Sequence, residues 1–171
     1  WTLTKTPSAA DLDGSANWRT DPSVAGGGYF ADLASHGFDL FQYLLGDIVE
    51  VAGFTARQAG LYAAEDAVSA SWRFASGALG MGCWSFVADR REDRVEIIGS
   101  QGRIAFSVFD EHPVQLFADE QISLEIPHHE HIQWHHVLGM NAHIRGDSQH
   151  PAVAEQAVKT DWVMDQILKR H

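Results

Sequence analysis

From Phe30 to Leu45 the apolar residues Phe30, Leu33, Ala34, Phe41, Leu44 and Leu45 recur near the helical period, and Gly46 follows the last of them. The spacing predicts one amphipathic helix with a glycine stop. The pattern then changes to a period of two. Val68, Ala70, Trp72 and Phe74 alternate with Ser69, Ser71 and Arg73, which predicts a strand buried on one face. Ala75-Ser76-Gly77 turns it into a partner strand from Ala78 to Phe86, in which Trp84 and Phe86 serve packing and Gly80 and Gly82 leave room for bulky neighbours or a bulge. Ile48 to Arg57 is a further strand, rich in β-branched and apolar residues. Val95 to Ile98 and Arg103 to Val108 are strands joined by the tight turn Gly99-Ser100-Gln101-Gly102. Val114 to Ala118 and Gln121 to Ile126 form a hairpin around Asp119-Glu120.

The ends and connections complete the pattern. Trp1 to Thr6 reads as a strand ended by Pro7, Ser8 to Asn17 as a loop, and the mixed charge run Arg90 to Arg94 as a solvated connection. From His131 the periodicity is helical, with a break at Arg145-Gly146-Asp147. Pro151 then sits at the start of a last amphipathic helix whose buried stripe is Val153, Ala157, Met164, Ile167 and Leu168. Neighbouring strands that pair antiparallel, with helices among and after them, make an α+β domain with a mostly antiparallel sheet of about six strands.

Composition narrows the picture. With 171 residues, 45% of them hydrophobic, the chain has material for one domain over residues 1–171. A formal charge of -11 argues against a nucleic-acid partner, because such proteins usually present a basic surface. The single cysteine, Cys83, allows no internal disulfide and reads as a small buried hydrophobe, which suits a reducing, cytoplasmic compartment. No apolar run reaches membrane-spanning length, so no membrane partner is expected. A start at Trp1, without methionine, suggests a trimmed or excised fragment.

Candidate chemistry gathers around the first helix. Three consecutive glycines, Gly26 to Gly28, permit something to approach the main chain closely just before it. Asp32 and His36, at i and i+4, put a carboxylate and an imidazole on one helical face. That pair reads either as acid and base or as a dipole-favoured aspartate beside a structural histidine. Arg19 either binds an anionic or hydroxyl-rich ligand or caps carbonyls and pairs with Asp21. A rival constellation runs from His128 to His136. His131 and His135 are also i and i+4, and with His128 or Glu130 they have a spacing that can hold a transition metal. The run does not match His-Glu-x-x-His, and its plain reading is a polar helix start with Ile132 and Val137 packing. No Gly-x-Gly-x-x-Gly follows a strand anywhere in the chain.

The order Gly26-Gly27-Gly28, Asp32, His36, Asp39, then Tyr43-Leu44-Leu45-Gly46, resembles the signature of the Gfo/Idh/MocA oxidoreductase family, in its C-terminal, substrate-side domain. The Gly99 to Gly102 hairpin, the break at Gly146 and Pro151 are similar to the same family, so the resemblance covers nearly the whole chain. It implies a dihydrodipicolinate-reductase-like fold with helices on one face of the sheet. It also implies NAD or NADP in a parent enzyme, held by a dinucleotide-binding Rossmann half that precedes this domain and supplies a lysine in a Glu-Lys-Pro motif. Neither Lys5 nor Lys159 stands in such a motif, so this chain alone is expected to bind no cofactor and to lack turnover. By resemblance His36 is the general acid/base for hydride transfer on a sugar, polyol or related hydroxylated compound. Asp32 orients the ring or contacts substrate, Arg19 and Tyr29 bind substrate, Gly26, Gly27 and Gly28 border the nicotinamide, and Asp39 is structural. A free imidazole titrates at about 6.5, which suits reversible transfer near neutrality. The family forms homodimers or homotetramers through the sheet, and Trp72, Phe74, Trp84 and Phe86 are the candidates for that face. Two other readings stay open: a non-catalytic oligomerisation or binding module, and a metal-binding protein using His128, His131 and His135.

Overall fold

In the computed structural model, which describes residues 1–169, the chain begins with β1 (Thr2–Thr4), α1 (Ala9–Asp13), a 3-10 turn at Trp18–Thr20 and α2 (Pro22–Ala25). The long helix α3 (Tyr29–Leu45) follows, and then the strands β2 (Ile48–Ala56), β3 (Ala67–Phe74), β4 (Leu79–Ser85), β5 (Glu92–Gly99), β6 (Gly102–Phe106), β7 (Val114–Phe117) and β8 (Gln121–Leu124). The chain closes with α4 (Trp134–Arg145) and α5 (Ala154–Leu168). All strands join one sheet in the order β2-β3-β4-β1-β5-β6-β7-β8. It has eight strands where about six were expected, and the three-residue β1, parallel to β4 and antiparallel to β5, welds two antiparallel halves together.

Alternation along β3 does bury one face, and the face is inside the domain. Val68, Ala70, Trp72 and Phe74 point towards α3, where Phe38 meets Trp72 edge-on at 5.1 Å and Phe30 meets Trp84 edge-on at 5.0 Å. Trp84 and Phe86 are fully buried, with 0% exposure. These four aromatics are therefore core and not an open oligomer face, because α3 covers the side of the sheet they occupy. Gly80 and Gly82 make that packing possible: a Cβ on either would stand 2.2 Å or 2.3 Å from the ring of Trp72 or Trp84. α5 lies over β2, where Gly53 admits Ile167. Its buried stripe is Thr160, Val163, Met164 and Ile167, whereas Ala157 is exposed.

Three other expectations change. Cys83 is exposed, because its register opposite Ser69 and Thr2 puts it on the uncovered face of the sheet. Residues Ser8 to Asn17 contain α1, since Ser8 and Asp11 bond each other's backbone in a capping box and Gly14 ends the turn in the left-handed region. Glu92 to Arg94 belong to β5, and Asp93 is buried there, accepting from the Trp1 indole at 2.9 Å and from the Phe109 amide at 2.6 Å. Among the described residues no helix is long and apolar enough to cross a membrane.

Candidate active site

Two short turns deliver the loop before α3. Asn17 caps the 3-10 turn by accepting from the Arg19 amide, and Asp21 with Pro22 opens α2, which stops at Gly26 with φ +71°. Gly28 then caps α3. It is glycine because the chain's own residues press on it: a Cβ there would sit 2.8 Å from the Ala64 Cβ and 2.9 Å from the Glu65 carbonyl. The Gly28 amide donates to the Glu65 carboxylate at 3.1 Å. At Gly28 the close approach is thus made by residues 64 and 65, and of the three glycines Gly27 and Gly28 are buried and Gly26 is exposed.

Asp32 and His36 stand one turn apart on α3, both open to solvent. The Asp32 carboxylate accepts from Arg19 Nε at 2.9 Å, so the acidic partner of Arg19 is Asp32 and not the expected Asp21. Only Nε is engaged in that contact, so the terminal guanidinium nitrogens keep unspent donors. The Arg19 guanidinium also lies 4.4 Å over the Trp18 ring. His36 meets Phe109 edge-on at 5.7 Å, and among the described residues its ring makes no hydrogen bond.

Tyr29 is not brought to this surface. It is 5% exposed, and its hydroxyl lies 3.0 Å from both Asp11 carboxylate oxygens while accepting from Asn17 Nδ2 at 2.8 Å. Lys5 Nζ sits 3.6 Å over its ring and 4.0 Å from Asp11. Burial pushes the Asp11 carboxyl up, but hydrogen bonds from the Ser8 amide and hydroxyl, Tyr29 and Asn17 outweigh it and hold the group below its ordinary value. Asn17 thereby ties α1, the Arg19 turn and α3 together. Nothing in the sequence marks Asp11 or Asn17, since each is a plain polar residue until the fold buries it. Beside Tyr29 the Tyr62 hydroxyl is buried without a hydrogen-bond partner among the described residues, and burial, followed by the Asp66 and Asp11 charges, pushes its pKa up.

From His36 a cleft of about 640 Å³ runs along α3 past Asp39 and Tyr43 to Asp47, walled opposite by residues 149–153 and Gln156. The histidine run lies elsewhere. His129 stacks on Trp134 at 5.2 Å and meets His135 edge-on, while His136 packs on the buried His150. Among the described residues no group of three or more His, Cys, Asp or Glu side chains converges on a metal position, so His128, His131 and His135 are not brought together as ligands.

A family model described as the GFO/IDH/MocA C-terminal domain matches residues 4–105. Among curated proteins, Oxidoreductase P35 of Formosa agariphila is 27% identical over 152 residues, which is 87% of this chain and 46% of that protein. Levoglucosan dehydrogenase in complex with NADH and levoglucosan superposes with a TM-score of 0.75 at 23% identity, covering 98% of this chain and 56% of that one. UDP-N-acetylglucosamine 3-dehydrogenase from Acidithiobacillus ferrooxidans superposes with a TM-score of 0.77 at 12% identity, over 98% and 51%. The chain spans about half the length of the curated relative it matches.

Proposed function

The chain belongs to the GFO/IDH/MocA family through its C-terminal domain, and from that premise we propose that it is the substrate-binding and catalytic domain of an NAD(P)-dependent oxidoreductase acting on a sugar, polyol or related hydroxylated compound. The observation that carries this reading is a free imidazole, His36, one turn from an Arg19–Asp32 ion pair at the mouth of a polar cleft. His36 takes the proton of the reacting hydroxyl during oxidation and returns it during reduction. Arg19 and Asp32 together offer donors and an acceptor to neighbouring hydroxyls, and their mutual bond holds both in place. The nicotinamide, when bound, supplies hydride acceptance or donation.

The residues of this chain fit the acid/base half of that chemistry and not the dinucleotide's phosphates. The α3 N-terminus, the natural seat for an anion, is already taken by the Glu65 carboxylate, which would repel a pyrophosphate. Dinucleotide binding is assigned to another part of the same polypeptide, with Gly26 as the exposed glycine that borders it. In this reading the parent is cytoplasmic and self-associates through the uncovered face of the sheet; the second part is supported by Phe54, Leu79, Met81 and Ile98, each at least 75% exposed there. The test is sugar-dependent reduction of NAD and NADP by the full-length polypeptide, beside dinucleotide binding to residues 1–171 alone. Turnover by the first and negligible binding by the second are expected. Tight binding by the isolated chain, or no turnover across neutral sugars and polyols, would contradict the reading.

A further inference from the structure

The cleft that starts at His36 is longer than one sugar ring. His36, Asp39 and Tyr43 follow one another on one face of α3, and the seven steps from the first to the last span about 10 Å of helix axis. Its volume of about 640 Å³ is well within the range of sites that enclose a sizeable ligand. The polar groups along it are unspent. Among the described residues, the side chains of His36, Asp39, Tyr43, Gln149 and Gln156 make no hydrogen bond within the chain, whereas Gln42, which also lines the cleft, donates to Thr160 and accepts from the Ile48 amide.

The charge along the cleft selects further. Asp39 carries a carboxylate, and Asp47 at the far end is already neutralised by Lys159 at 2.8 Å. Lys159 is spent on Asp47, and among the described residues no lysine or arginine lines the cleft itself, so a phosphorylated or carboxylated second unit finds no free cation along it. Tyr43, 68% exposed, presents an aromatic face of the kind that stacks on the C–H face of a pyranose, with a hydroxyl at its edge. A carboxylate, a phenol and two amides arranged around such a ring suit vicinal hydroxyls.

We propose that this cleft is a second sugar subsite: the substrate is a neutral disaccharide or glycoside whose reacting unit lies at His36 and whose second unit lies along Asp39, Tyr43 and Gln156. This rests on the reading of His36 as the acid/base. It adds that the enzyme discriminates by the unit that does not react.

The experiment compares kcat/KM of the full-length polypeptide for glucose, galactose and xylose, for cellobiose, maltose and lactose, and for glucose 6-phosphate and glucuronate. The best neutral disaccharide is expected to exceed the best monosaccharide by about tenfold, the return of one or two hydrogen bonds, with the anionic sugars poorest. Tyr43→Ala and Asp39→Asn are expected to shrink that ratio towards one by raising KM for the disaccharide more than for the monosaccharide. Monosaccharides used as well as disaccharides, or variants that keep the ratio, would overturn the proposal. Should no sugar be turned over, the acid/base reading is what fails. The subsite is then decided by amide chemical shifts on titration with the same three disaccharides: movement confined to Tyr43, Asp39 and Gln156 supports it, and silence there overturns it.

Discussion

Removing one oxygen tests the buried network under the site. Tyr29→Phe leaves the ring in its place and deprives Asp11 of its hydroxyl donor, so a loss of about 1–3 kcal/mol is expected. Asp11 also gives the loss a pH signature. Its folded pKa is depressed, so its contribution is present above the ordinary carboxylate value of about 3.9 and is lost as pH falls through the lower, folded value. In Tyr29→Phe that depression shrinks, and acid unfolding is expected to set in at higher pH than in the wild type. Circular dichroism during acid titration checks it, and an unchanged midpoint would contradict it. Gly37→Ala pits two effects against each other. Alanine gains about 1 kcal/mol of helix propensity. The new Cβ, however, would stand 2.2 Å from the Trp1 ring, which cannot retreat because its indole is held by Asp93 and its ring lies among Phe38, Phe41 and Trp84. Overpacking costs about 1–3 kcal/mol, so thermal unfolding is expected to show net destabilisation.

At the scale of elements, what could be read from the sequence was what local pattern determines. The period and the glycine stop give α3, and turn glycines give the β3–β4 and β5–β6 hairpins with their turns where they are observed. Pairings that depend on distant residues were not legible. Three residues of β1 insert between β4 and β5, about eighty positions away, and only that insertion makes one sheet of two. Asp93 looked like one charge in a solvated run because the Trp1 indole that buries it arrives from the other end of the chain. Alternation in β3 showed that one face is covered but not by what, and so the aromatic core was mistaken for an interface. In the site, spacing placed Asp32 and His36 on one face, whereas the Arg19–Asp32 bond depends on a loop path set by Asn17 and could not be foreseen. The α4 region carries its own test. Its histidines stack on one another and on Trp134, so chelator treatment is expected to leave the melting temperature unchanged. One equivalent of zinc retained through purification without added metal would contradict that.

For the whole molecule, the sheet has one face under α3 and α5 and one face uncovered, and the uncovered face holds Met81 at 76% exposure and Phe54 at 75%. A self-associating chain is expected in sedimentation, and Met81→Asp is expected to weaken the assembly without lowering the thermal stability of the fold. A monomer at high concentration would count against it. In the proposed reading the uncovered face serves assembly, and α3 on the covered side serves the reaction. The central claim is that α3 supplies the proton-transfer group of an oxidoreductase whose dinucleotide is held elsewhere in the polypeptide. The most direct measurement is the steady-state kcat of the full-length His36→Ala variant, beside its dissociation constant for the reduced dinucleotide. A fall in kcat of about 10²- to 10⁴-fold with dinucleotide affinity nearly unchanged is the expected result. A variant that keeps the full kcat without His36 would contradict it.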